Sequence, residues 1–190
     1  AIRAAQLGKK VLLVERHKLG GECLNYGCIP SKSLIHAANV LTTIERAAEW
    51  GIETGPAKVD LVRLQAWKQS VVDKLVNGVA LVEKGNGVEV AFADASFLDE
   101  KTVRTRYADG RTEDVEFGDA IIATGGRPSD LPAFRFDKTR VISTKEALEL
   151  TAAPSALMVI GGGISGLEIG TFYAKLGSKV VVIELLDQLL

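Results

Sequence analysis

Ala156 to Glu184 reads ALMVIGGGISGLEIGTFYAKLGSKVVVIE, and this stretch decides the fold. Ala156–Ile160 is a short apolar run of the kind that forms a strand. Gly161, Gly163 and Gly166 follow it in a G-x-G-x-x-G pattern, with a helix expected from Ile164 onward. Alone, that glycine spacing is weak. After a strand, before a helix, and with an acid ending the next strand, it is a dinucleotide-binding fingerprint. The glycines allow a tight turn, bring a pyrophosphate to the backbone, and let helix and strand pack closely. The helix N-terminus adds free N–H groups and the positive end of a dipole. Glu184 stands where a carboxylate accepts hydrogen bonds from ribose hydroxyls, which favours NAD over NADP because it repels a 2′-phosphate. Without a ligand, the same pattern reads as a glycine turn in an α/β domain.

Part of this unit occurs twice. Ala1–Glu15 reads AIRAAQLGKKVLLVE and Gly170–Glu184 reads GTFYAKLGSKVVVIE. In both, a small-residue helix ends at Leu-Gly, a lysine follows, and an apolar run expected to form a buried parallel strand closes on Glu. Gly8 matches Gly177, and Glu15 matches Glu184. The first copy begins inside its helix, so the expectation is a chain truncated by one strand and one phosphate loop. Leu190 likewise falls before a three-stranded nucleotide-binding half is complete. The fold class expected is α/β, with two Rossmann-like nucleotide-binding domains, both incomplete: residues 1–150, then 151–190.

The only cysteines are Cys23 and Cys28, in GGECLNYGCIPSK, residues 20–32. Four residues separate them and a helix start follows, with Pro30 suited to the first turn. A thiolate there feels unpaired N–H groups and the helix dipole, which lowers its pKa. The position suits a disulfide that opens and closes. Buried thiols are the commoner fate of isolated cysteines. Zinc needs about four ligands, and only His17 and His36 stand near. A structural disulfide calls for an oxidising compartment, and no secretory signal is visible. The net charge of −1 gives no reason to expect nucleic acid or an anionic membrane as partner. No apolar stretch is long enough to span a bilayer.

Between these motifs, Asp60 can cap a long helix carrying Leu61, Leu64, Val71, Leu75, Val79 and Val82, with Gly85 as its stop. Trp67 reads as a packing residue. Val88–Ala93, Thr102–Tyr107 and Thr112–Phe117 read as strands, with Asp109-Gly110 as a hairpin turn. Ala120–Ala123 is expected to be a buried strand leading into Thr124-Gly125-Gly126. A short helix is expected at Thr144–Leu150.

The run from Gly20 to Lys32 closely resembles the active-site segment of the pyridine nucleotide–disulfide oxidoreductases. Its ending, Cys-Ile-Pro-Ser-Lys, is most like the dihydrolipoamide dehydrogenase branch. Glu22 stands where threonine is common. Ala123-Thr124-Gly125 resembles the family's Ala-Thr-Gly segment, and the order of the three motifs matches too. The resemblance implies FAD and NAD as cofactors. It implies Cys23 as the thiol that meets substrate, Cys28 as the sulfur against the flavin, and Lys32 directed toward the flavin N5 region. Glu15 would hold the FAD ribose, and Gly21, Ala95, Thr124 and Gly125 join the cofactor-binding positions, with Gly161, Gly163, Gly166 and Glu184 for NAD. It further implies lipoyl domains of 2-oxoacid dehydrogenase or related complexes as partners, a homodimer when full length, a cytoplasmic or mitochondrial-matrix location, and a catalytic histidine outside this chain. The fragment alone is expected to be inactive and to hold FAD poorly. Two alternatives stand: another disulfide reductase such as mercuric reductase, or an inactive fragment or adaptor that keeps only the fold.

Overall fold

Glycine in the left-handed region ends both copies of the repeated helix. Gly8 has φ +81° and Gly177 has φ +92°, a conformation that costs a residue with a Cβ far more. The computed structural model describes residues 1–190. It divides into two compact units: Ala1–Gly21 with Lys74–Gly126, and Glu22–Asp73 with Arg127–Leu190.

The first unit contains helix α1 (Ile2–Gln6), strand β1 (Leu12–Glu15) and the strands β2 (Glu89–Phe97), β3 (Thr102–Tyr107) and β4 (Thr112–Glu116). They form one sheet in the order β1-β2-β3-β4. β1 runs parallel to β2 with Leu12 opposite Glu89, and the β2–β3 and β3–β4 pairs are antiparallel. Asp109 accepts from the Arg111 N–H, and Gly110 takes φ +87°, so the hairpin turn forms where its residues demand. β2 runs on to Phe97, past the expected end at Ala93, because β3 supplies ladder partners from Ala93 to Phe97.

Ala120–Ala123 is not a strand. Ile121 is 84% exposed and Ile122 71%. A buried strand needs ladder partners and covered faces. This segment pairs with no strand, so its apolar run has nothing to be buried against.

The second unit holds α2 (Gly21–Tyr26, sharing its first residue with the other unit), α3 (Cys28–Arg46), α5 (Thr144–Ala147), β5 (Ala156–Ile160), α6 (Ile164–Lys175) and β6 (Lys179–Ile183). Helix α4 (Leu61–Gly85) contributes its first half here and its second half to the other unit. Asp60 caps it, accepting from the Arg63 N–H at 3.0 Å. Trp67 is 43% exposed rather than packed away. β5 and β6 form a parallel pair in which Ala156 lies opposite Lys179.

The core of the second unit gathers Leu34 and Ala38 of α3, Leu61 of α4, Ala147 and Leu148, and Ile169, Phe172 and Tyr173 of α6. Phe172 and Tyr173 meet edge to face at 4.8 Å between ring centroids, a favoured aromatic geometry. Helix α5 stops at Ala147, one turn short of expectation, and its end is clamped by side chains. Tyr173 Oη donates to Ala147 O at 2.6 Å, Lys68 Nζ to Leu148 O at 2.9 Å, and Gln65 Nε2 to Leu150 O at 2.9 Å. These donors satisfy carbonyls that a further helical turn would otherwise have used. Burial pushes the Tyr173 hydroxyl up to about 12 and pushes Lys68 below its ordinary value.

The strands β5 and β6 are covered on one face only. Residues of α6 pack over Leu157 and Val180, while Met158 and Val181 point to solvent. The unbroken apolar runs had implied burial on both faces. No helix of the chain is long and apolar enough to cross a membrane.

Candidate functional site

Gly20 and Gly21, at φ +97° and +73°, turn the chain into α2, and Gly27 alone separates α2 from α3. Cys23 therefore sits on a short helix and Cys28 is the first residue of the next, a break that the sequence had not revealed. The two sulfurs are joined in a disulfide, with Cα atoms 4.8 Å apart, inside the range that bridging allows. Both cysteines are exposed. The first intrahelical bond of α3 runs from the Ser31 N–H to Gly27 O at 3.0 Å, so Cys28 lies in the turn whose N–H groups have no partner within the helix.

One turn further along α3, Lys32 Nζ pairs with Glu168 of α6, at 2.7 and 2.9 Å from its two carboxylate oxygens. Ser31 Oγ donates to the same carboxylate at 3.2 Å and also to Cys28 O at 3.2 Å. Lys175 of α6 donates to Asn39 Oδ1 of α3 at 2.5 Å. The partners are seven residues apart on both helices, so α3 and α6 run side by side in one direction. The Lys32–Glu168 pair is half exposed and adds at most about 1 kcal/mol to stability. Its larger effect is to fix a charge one turn from Cys28. Glu168 carries no sequence signal of this role, because nothing local to it marks a partner 136 residues away.

The glycine loop between β5 and α6 has the geometry that a dinucleotide requires. Gly161 takes φ +102°. A Cβ on Gly166 would lie 2.3 Å from Gly161 O and 2.9 Å from Val159 Cγ1, so only glycine lets α6 approach the strand this closely. At Gly163, the residue before α6, a Cβ would meet nothing within 4 Å, which leaves the helix N-terminus open to an anion. The residues present thus fit a dinucleotide pyrophosphate. Glu184 closes β6 and its Oε2 accepts from the Gly162 N–H at 2.7 Å, while Oε1 accepts from the N–H groups of Leu185 and Leu186. Those donors, Leu186 first, then Gly162 and Leu185, hold its carboxyl below the ordinary range.

The remaining candidates belong to the other unit. Glu15 ends β1 and accepts from the His17 N–H at 2.7 Å. Ala95 lies in β2 opposite Thr105, Gly21 opens α2, and Thr124-Gly125 form an exposed turn with Gly125 at φ +74°. The structure therefore brings Cys23, Cys28, Lys32, Gly161, Gly163, Gly166 and Glu184 into one unit and Glu15, Gly21, Ala95, Thr124 and Gly125 into the other.

The dihydrolipoyl dehydrogenase of Geobacillus stearothermophilus is 47% identical over 184 residues, which is 97% of this chain and 39% of that protein. A dihydrolipoyl dehydrogenase of Bacillus subtilis is 46% identical over 190 residues, 100% of this chain and 40% of its own length. The chain thus spans about two fifths of the curated relatives that it matches. Among solved structures, LpdA from Mycobacterium tuberculosis superposes with a TM-score of 0.87 at 25% identity, over 99% of this chain and 41% of that one. The family model described as pyridine nucleotide-disulphide oxidoreductase matches residues 1–190. From its cysteine pair to its glycine loop, the chain belongs to the pyridine nucleotide-disulphide oxidoreductase family.

Proposed function

We propose that the intact protein is a dihydrolipoamide dehydrogenase, which oxidises protein-bound dihydrolipoyl groups with NAD through the Cys23–Cys28 disulfide and FAD. The observation that carries this reading is the disulfide at the N-terminus of α3, with the Lys32–Glu168 pair one turn away. Relatives that are 46–47% identical and named dihydrolipoyl dehydrogenases support it.

A substrate thiolate attacks the Cys23 sulfur, the Cys23–Cys28 bond breaks, and Cys28 leaves as a thiolate stabilised by the α3 N-terminus. The second substrate sulfur then attacks the mixed disulfide and releases Cys23. The substrate leaves as a cyclic disulfide, two protons are released, and two electrons rest on the cysteine pair. FAD, when bound, would supply a two-electron acceptor for the reduced cysteine pair, and NAD the final hydride acceptor. Lys32 is held by Glu168 one helical turn from Cys28. The loop of Gly161, Gly163 and Gly166 would hold the NAD pyrophosphate, and Glu184 would bond its ribose. Glu15, Gly21, Ala95, Thr124 and Gly125 would hold FAD. In this reading residues 1–150 belong to an FAD-binding domain and 151–190 open an NAD-binding domain, a division that the two compact units of the chain cut across. The partners are lipoyl domains and a second subunit.

The test is steady-state turnover of dihydrolipoamide by the intact protein with NAD and with NADP. Turnover with NAD, lost by about a thousandfold or more in Cys28→Ser, supports the reading. Turnover that requires NADP, or reduction of mercuric ion without dihydrolipoamide oxidation, sinks it.

A further inference from the structure

The disulfide is the only covalent tie between α2 and α3 apart from Gly27, and it is lost each time the pair is reduced. Helix α2 has six residues, of which Leu24, Asn25 and Tyr26 are half-buried and none fully buried, and so short a helix is not stable by itself. In the reduced state, Cys23 stays opposite Cys28 through the contacts that α2 makes with the rest of its unit. Tyr26, the last residue of α2, lies three residues after Cys23 and two before Cys28. Lys145 of α5 places its ammonium 4.5 Å from the centre of the Tyr26 ring, within cation–π range.

The element that carries Lys145 is firmly held. Ser143 and Glu146 form a capping box around its backbone, with the Lys145 N–H donating to Ser143 Oγ at 3.2 Å and the Ser143 N–H to Glu146 Oε2 at 2.8 Å. At the other end, Tyr173 donates to Ala147 O, the last carbonyl of α5, and Lys68 and Gln65 donate to Leu148 O and Leu150 O just beyond it. Lys145 itself is exposed, so its head is free to be exchanged without disturbing the core.

The geometry points to Lys145 as a positioning residue for the redox couple: stacked on Tyr26, it docks α2 against α5 and holds Cys23 in place for re-closure onto Cys28. This rests on the redox reading above. The contact forms at lower entropic cost when the disulfide already fixes α2. By reciprocity it favours the closed disulfide by the same factor. A nearby positive charge acting directly on the thiolates would have the opposite effect and favour the reduced pair.

The experiment equilibrates the intact protein anaerobically with dithiothreitol redox buffers, traps free thiols by alkylation, and counts them by mass. Lys145→Met is expected to shift the equilibrium about two- to fivefold toward the dithiol, the range of an exposed cation–π contact. Tyr26→Leu, which keeps the charge and removes the ring, is expected to shift it in the same direction. Lys145→Arg, which keeps the stacking, is expected to restore the wild-type value. Unchanged equilibria in Lys145→Met and Tyr26→Leu overturn the proposal while leaving the redox reading intact. A shift toward the disulfide in Lys145→Met, with none in Tyr26→Leu, also overturns it, because the charge then acts on sulfur and not through α2. A wild-type pair that does not exchange with dithiothreitol at all removes the redox reading and this inference together.

Discussion

The two copies of the repeat share a sequence pattern and differ in what surrounds them. In the second, α6 buries Phe172 and Tyr173 and packs between its strands and α3. In the first, α1 buries no residue, and β1 pairs with β2, a strand from far along the chain. Arg3 and Ala4 stand at the places of Phe172 and Tyr173. The acids that close the two strands diverge as well. Glu184 accepts three backbone N–H groups, one of them from the glycine loop, whereas Glu15 accepts from His17. A helix–turn–strand pattern is therefore local, but burial and the partners of its terminal acid come from whichever elements fold against it.

The contrast breaks most clearly at Tyr173, which is fully buried. Tyr173→Ala is expected to destabilise the protein by about 3–5 kcal/mol, as for other large core truncations, in denaturant unfolding. Ile2→Ala in α1, where nothing is buried, should cost under about 1 kcal/mol in the same measurement. Equal losses would erase the distinction between the copies.

The next largest effect is expected at Gly166. Gly166→Ala forces a Cβ against backbone at 2.3 Å and should cost about 1–3 kcal/mol, with weaker NAD binding. Gly163→Ala meets open space and should leave stability within about 1 kcal/mol, while its methyl group obstructs a bound pyrophosphate. Calorimetric unfolding and NAD titration of the two variants separate packing from ligand approach.

Tyr173→Phe removes only the hydroxyl and leaves Ala147 O without its donor, a loss of about 1–2 kcal/mol. It also carries a pH signature. The folded hydroxyl ionises near 12, above the ordinary phenol value of 10.0. The unfolded chain therefore gives up this proton first, and the stability from the buried neutral form falls as pH rises from 10 toward 12. The phenylalanine variant should lack that part of the alkaline decline. Parallel unfolding curves for both proteins across this window would refute the burial account.

The smallest effect separates the two acids. Glu184→Arg should lower kcat/KM with NAD and relax discrimination against NADP by about tenfold. Glu15→Gln should leave nucleotide discrimination unchanged and loosen FAD retention. Acid titration adds a second contrast. The carboxyl of Glu184 is held below its ordinary range, so its contribution is present above the unfolded carboxylate pKa and is lost as pH falls through the lower folded value. Glu184→Gln should blunt that acid-side loss in thermal unfolding measured across pH.

Much of the site was legible because its signals are local. The glycine fingerprint, the cysteine spacing and the Asp60 cap each depend on residues within a few positions of one another. The misreadings at Ala120–Ala123 and at the outer face of β5 and β6 have a common cause. An apolar run states a preference for burial, but it does not supply the strand or helix that would cover it. Glu168 and Lys145 were invisible for a related reason: each acts on a partner more than 100 residues away in sequence.

By itself, then, the sequence determined the repeat, the helix stops at Gly8 and Gly177, the glycine loop and the chemical identity of the redox pair, since each follows from backbone allowance and residue type over a short span. Tertiary structure alone decided that Lys32 is held by Glu168, that Lys145 stacks on Tyr26, that Tyr173 closes α5, and that the helix of one repeat buries aromatic side chains while the helix of the other buries none. Those outcomes depend on which side chains meet across separate helices, and only packing brings such distant residues within contact distance.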